Sequence, residues 1–323
     1  MKSNKYEIDM CNGSIMDKLV SFALPLMLSG ILQLMFNAVD IIVVGRFSGS
    51  EALAAVGSTT ALINVFTNLF IGISLGANVL AARFFAAGRK EEMSETVHTS
   101  ITLALISGIL MAFVGLVFSK GALELMGTPE DVIGLSTLYM RIYFMGMPFF
   151  MLYNYGAAIL RAVGDTKRPL YFLIIAGVIN AGLNMVLVIV FGLGVAGVGI
   201  ATVFSQMVSC VLVLTCLCRT EGSYKLSFSK LSMKGYYLKQ IFQVGIPAGI
   251  QSTVINFSNA LLQSSVNSFG STAMAGYTAA NNILGFLYVS INSVTQACMS
   301  FTSQNFGVGK YKRMDRVLID CMI

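Results

Sequence analysis

The chain has 323 residues, 56% of them hydrophobic and 11% charged, with a net charge of +6 and a mean hydropathy of +0.77. A soluble domain carries about 25% charged residues, so a core of this size lacks the polar surface to coat it, and the excess apolar surface must face lipid. The positive charge is spread through the gaps between hydrophobic runs, which suits membrane orientation and argues against a nucleic-acid partner.

Residues 1–18 mix Lys2, Lys5 and Lys18 with Glu7, Asp9 and Asp17 and read as a cytoplasmic tail. The apolar stretch that follows is too long for a signal-peptide core and is a retained first helix. Taking about 20 apolar residues per crossing, the sequence predicts eight spans, at 19–45, 52–82, 96–118, 132–160, 169–191, 195–217, 238–266 and 273–305. Several exceed the hydrocarbon thickness, so tilt is expected. Pro148 is expected to kink the fourth span, and the glycine-rich "GLGVAGVG" forms a tight turn between the fifth and sixth. The longest polar stretch, 219–240, is a cytoplasmic linker, expected to be in part an amphipathic helix on the anionic leaflet. It separates a six-helix lobe, 19–218, from a two-helix segment, 241–323. With the N-terminus inside, only Arg46, Lys120 and Arg141 of the 21 basic residues fall outside, a strong positive-inside pattern.

The first span, "ILQLMFNAVDIIVVG", holds a carboxylate. An ionised Asp40 in hydrocarbon costs at least about 2.5–3.5 kcal/mol. Gln33, Asn37 and Asp40 follow one another at steps of four and three, so they share a helical face that should look into the bundle or a wet cavity. Pairing with Arg46 is the simpler reading, but about 9 Å of helix rise separates the two. In the fifth span, "VINAGLNMV" puts Asn180 and Asn184 one turn apart, suited either to joining helices or to a polar site. Asn64 and Asn68 on the second span, Asn259 on the seventh, and Tyr139 and Tyr143 on the fourth are candidates for lining a cavity or for packing between helices. The sole histidine, His98, reads as a surface residue. None of the six cysteines forms a C-x-x-C pair, so neither a disulfide framework nor a zinc site is expected. One histidine and one deep carboxylate cannot assemble a hydrolytic site, and no P-loop is present. The chain is not expected to be an enzyme.

Shifting the chain on itself by about 222 residues pairs Pro25 with Pro247 and Asn37 with Asn259, while Asp40 falls opposite Leu262. Both copies begin on the same side, as parallel repeats do. The one-sided acid points to a specialised role in the first lobe. A full second repeat would run beyond residue 323, so the sequence is expected to be a fragment.

The stretches "PLMLSGILQLMFNAVDIIVVGRFSGSEALAAVG", "LGANVLAARFFAAGRKEE" and "AAILRAVGDTKRPLYFL" resemble the multidrug and toxic compound extrusion (MATE) transporters, the NorM-like and DinF-like antiporters. The resemblance covers essentially the whole chain. It implies an all-α polytopic membrane protein of the two-lobed MATE/MOP type, here a complete six-helix N-lobe plus about two helices of the C-lobe. It further implies a multi-pass protein of the plasma membrane with a cytoplasmic N-terminus, a monomer at full length. The implied activity is antiport by alternating access, coupled to protons or sodium and needing no cofactor, with small organic cations as substrates. The coupling site it implies comprises Asp40, Asn180, Asn184 and Thr202, with sodium possible at Asp40, Asn180 and Asn184. Some relatives carry a second acid at the Asn184 position; here Asp40 is the only carboxylate deep in a span. A lipid-linked saccharide flippase of the same superfamily is the alternative, but no arginine sits mid-span to hold pyrophosphate. A fragment without transport activity is the other.

Overall fold

The computed structural model describes residues 6–267 and 271–322; Lys2 and Lys5 of the tail lie outside them. The described residues form ten α-helices: α1 (Ile15–Phe47), α2 (Gly49–Ala86), α3 (Lys90–Leu125), α4 (Glu130–Met145), α5 (Met147–Ala162), α6 (Lys167–Asn184), α7 (Gly194–Arg219), α8 (Gly235–Asn267), α9 (Ser271–Gly307) and α10 (Tyr311–Met322). Ser14 starts α1 by accepting a hydrogen bond from the Asp17 N–H, as N-cap serines do.

Five of these rods are long and apolar enough to cross a membrane among the described residues: 15–47, 49–86, 90–125, 167–190 and 194–219. The eight-span reading differs for two reasons. The fourth span is split at Gly146 into two helices of 16 residues each, about 24 Å apiece and too short to cross alone. Pro148 lies in the first turn of α5, where its missing N–H is unneeded. In α8 and α9, Gln, Asn, Ser and Thr are interspersed among the apolar residues. The two-helix reading of 241–323 also lacked α10.

The axis of the bundle is α2, which packs on α3, α4, α5, α8 and α9. Its crossing with α8 brings backbone against backbone: Gly72 lies on Gly249, and Gly76 on Ile241 and Gly245, with no room for a Cβ. In lipid, association rests on such close van der Waals approach rather than on hydrophobic burial, so small residues mark the crossing. The largest core lies among α2–α5 and α7, around Phe144, Met147, Met151, Tyr155 and Ile159. A second cluster joins the start of α1 to α9 and α10 through Phe22, Phe301 and Val317. There the Phe22 and Phe301 rings meet edge to face at 5.8 Å.

Buried polar bonds tie α9 and α10 to the first lobe at the end that carries the N-terminal tail. Asn78 of α2 donates to the Ala158 carbonyl (2.9 Å) and accepts from Ser300 of α9 (3.1 Å). Gln304 donates to the Ala162 carbonyl at 2.7 Å. The tail itself is a strap. Its Met10 carbonyl accepts from Asn305 and Arg313, while Lys310 donates to the Cys11 carbonyl and to Asn12. Ile8 lies against Gly164, whose φ of +93° and lack of space both require glycine. In the same turn, the fully buried Asp165 is paired with Arg168.

The 219–240 linker holds no amphipathic helix ahead of α8, only a 3₁₀ turn at Phe228–Lys230. Side chains pin it to the first lobe instead. Tyr224 donates to Glu7 at 2.7 Å, and the Ser227 N–H donates to His98 Nε2 at 3.1 Å. His98 is therefore no surface residue; it is 3% exposed. Its Nδ1 lies 2.7 Å from the Ser94 carbonyl, which assigns the proton to Nδ1 and leaves Nε2 as the acceptor.

Two substitutions test this packing. Gly72→Val should lower stability by about 1–3 kcal/mol through overpacking, read as a lower Tm in detergent. Gly57→Ala, with open space around it, should not. His98→Ala leaves the Ser227 N–H without its acceptor, so trypsin should cut at Lys225 and Lys230 faster than in wild type; an unchanged rate would mean His98 does not hold the linker.

Candidate functional site

The polar stripe of α1 meets α6 along one seam. Phe36 packs its ring directly onto Gly177, with no space for a Cβ. One turn further along α1 is Asp40, and one and two turns along α6 are Asn180 and Asn184. The glycine lets the helices approach until Asn184 Nδ2 donates to Asp40 Oδ1. The same Nδ2 also donates to Asn180 Oδ1 at 3.2 Å. Asp40 is thus partnered by Asn184 and not by Arg46.

Asn184 is fully buried, and its Oδ1 has no partner among the described residues. Immediately after it the helix widens into a π-helical segment, Met185–Val190, closed by the Phe191 N–H donating to the Val186 carbonyl at 3.1 Å. Single π turns inside α-helices are frequent at functional sites. No pattern in the sequence announced this one.

In front of the pair lies a cavity of about 310 Å³ between α1, α2 and α4–α7. Gln33, Asn37, Asp40, Asn64, Asn68, Tyr139, Tyr143, Asn180 and Thr202 all line it. Asn184 stands behind the wall. Asn259 is exposed on α8 and is not among the lining residues, because α8 packs on α2 outside this helix group. Asp40 is the only charged side chain among the lining residues, and none is Arg or Lys. Tyr139 and Tyr143, with ring centroids 6.1 Å apart, line the same cavity.

Asn68 bonds back to the Asn64 carbonyl and Thr202 to the Val198 carbonyl, so neither is committed to another helix. Among the described residues no group of three or more His, Cys, Asp or Glu side chains could hold a metal ion. The polar wall contributed by α7 is broader than Thr202 alone, since Ser205, Gln206 and Ser209 line the cavity too. Their spacing in "TVFSQMVS" is that of one helical face, a signal present in the sequence. Asn154 of α5 also lines it, as a single residue without periodicity to reveal it.

A MatE family profile matches residues 25–186 and 247–323. The chain belongs to the MatE family. This MatE chain is 34% identical over 306 residues to the probable multidrug resistance protein YoeA of Bacillus subtilis, covering 92% of the chain and 66% of the relative. It is 24% identical over 308 residues to a FAD transporter of Shewanella oneidensis, covering 93% of the chain and 67% of the relative. The chain thus spans about two thirds of the length of the curated relatives it matches. Its fold is that of a MOP superfamily transporter from Pyrococcus furiosus, with a TM-score of 0.92 at 24% identity over 99% of this chain and 71% of that one. It is a multi-pass helical membrane protein of the MATE/MOP architecture.

If the Asp40–Asn184 bond joins α1 to α6, its two halves are energetically coupled. In a double-mutant cycle on thermal unfolding, Asp40→Ala and Asn184→Ala should show an interaction of about 1 kcal/mol or more. Additive effects would mean that the two side chains do not meet.

Proposed function

We propose that this protein is a cation-coupled antiporter that exports small organic cations, with Asp40 as the group that carries the coupling ion. The observation that supports this most is a single carboxyl facing a 310 Å³ cavity that holds no other charged lining residue. When ionised, Asp40 accepts from Asn184 and attracts a cation into the cavity, where Tyr139, Tyr143, Phe150 and Tyr153 offer ring faces for cation–π contact. When Asp40 takes up a proton, that attraction is lost and its new O–H needs an acceptor. A turn of the Asn184 amide would present its unpartnered Oδ1. Proton and substrate then compete for one carboxyl, and alternating their occupancy between the two faces of the membrane gives antiport.

Sodium is the second reading. With the Asn184 amide turned, its Oδ1 joins the Asp40 carboxylate and Asn180 Oδ1 as an oxygen set suited to a hard cation. A flippase for lipid-linked pyrophosphates fits less well, since no basic residue lines the cavity and such an anion requires cationic partners. We further infer that the end bearing the N-terminal tail faces the cytoplasm of a plasma membrane, from the concentration of Lys and Arg there.

The test is ethidium uptake into inverted vesicles holding the protein, driven first by a proton gradient and then by a sodium gradient. Wild type should respond to one gradient, which names the ion, and Asp40→Asn should fall to background while still reaching the membrane. Gradient-driven uptake surviving in Asp40→Asn would reduce Asp40 to a structural acid. Uptake of an anionic flavin in place of ethidium would overturn the cationic substrate.

A further inference from the structure

Beyond the central cavity, a second concavity lies where α2 and α8 part after their glycine crossing. It has a volume of about 460 Å³ and is lined on one side by Arg83 and Arg89 and on the other by Tyr236, Lys239, Gln240 and Gln243. It contains three cationic side chains and no acidic lining residue. Arg89 is already engaged, bonding Glu92 through its guanidinium. Arg83 is held over the Phe306 ring at 4.9 Å. Neither Arg83 nor Lys239 has a carboxylate at ion-pair distance among the described residues.

The first turn of α8 lies at this concavity, since Tyr236 and Lys239 follow closely on its start at Gly235. The unpaired N–H groups and positive dipole end of a helix start favour an anion. Continuous with the basic concavity, and sharing Lys239 and Gln243 with it, is a shallow groove along α8 formed by Leu238, Phe242, Ile246 and Pro247. A cationic pocket at the end of the bundle that runs directly into an apolar track has the two-part chemistry of a phospholipid. A soluble phosphate would use only the first part.

We propose that this concavity is a binding site for an anionic phospholipid, its phosphate held by Arg83 and Lys239 and one acyl chain lying along Leu238, Phe242 and Ile246. If the orientation inferred above holds, the lipid comes from the cytoplasmic leaflet; the site itself does not depend on that reading. The bound lipid would bridge α2 of the first lobe and α8 of the second beside their closest contact.

The test is native mass spectrometry of the detergent-solubilised protein after incubation with phosphatidylglycerol, and separately with phosphatidylcholine of the same acyl chains. Wild type should retain phosphatidylglycerol selectively, and Arg83→Gln with Lys239→Gln should weaken that retention by roughly 5-fold per charge removed. Lys225→Gln with Lys230→Gln, an equal charge change on the exposed linker, should bind as wild type does. Equal losses in both double variants would reduce the effect to general surface charge and overturn the site. Equal retention of the two lipids would overturn it as well. Competition by millimolar glycerol 3-phosphate as effective as that by the lipid would assign the pocket to a soluble phosphate and overturn the lipid. Asp40→Asn should keep the lipid whatever its transport phenotype, so the two proposals fail separately.

Discussion

A carboxyl group inside a membrane-spanning helix has no bulk water to turn to, so the protein around it must supply its hydrogen bond. That requirement organises the α1–α6 seam. Gly177 removes the side chain that would hold α6 away from Phe36, Asn184 reaches Asp40, and the helix widens into a π segment directly after the amide. The polar faces of α1, α2 and α7 then converge on the same cavity. Asp40 is supported from behind by a fully buried amide and is open in front to the cavity, an arrangement in which a charge can be present without being stranded.

The opposite design closes the end that carries the N-terminal tail. Ser300 and Gln304 of α9 bond Asn78 of α2 and the Ala162 carbonyl of α5 away from solvent, and the strap of residues 6–12 is bonded to α9 and α10 on one side and packed on the α5–α6 turn on the other. A neutral hydrogen bond makes a net contribution of about 0.5–1.5 kcal/mol. A few such bonds therefore amount to a few kcal/mol. A wholly apolar contact would hold helices less specifically in lipid, since the hydrocarbon competes equally for apolar surface.

The internal repeat is unequal at the acid. Pro25 and Asn37 have counterparts in Pro247 and Asn259, but Asp40 lies opposite Leu262. Leu262 and Asn259 are both exposed, and Asn259 is not among the residues lining the polar cavity. Within the two matching stretches the scaffold positions are shared, while the acid of α1 has an apolar residue opposite it on α8.

Much was legible from the residues themselves. The all-helical membrane character and the shared face of Gln33, Asn37 and Asp40 follow from hydropathy and the 3.6-residue helical period, both local properties. The sequence also singled out Asn180 and Asn184, though not that one lines the cavity and the other stands behind it. Pro148 marked the fourth span as interrupted, as it is at Gly146, but the sequence did not disclose the π segment, the buried place of His98, or α10 and the strap it anchors. Periodicity tells which residues share a face, but which face meets which depends on close approaches between distant segments: Asp40 and Asn184 are 144 residues apart, and Asn305 reaches Met10 across 295. Those meetings are decided by where glycines let backbones touch and by the need of every buried polar group for a partner, and only the folded bundle satisfies both at once.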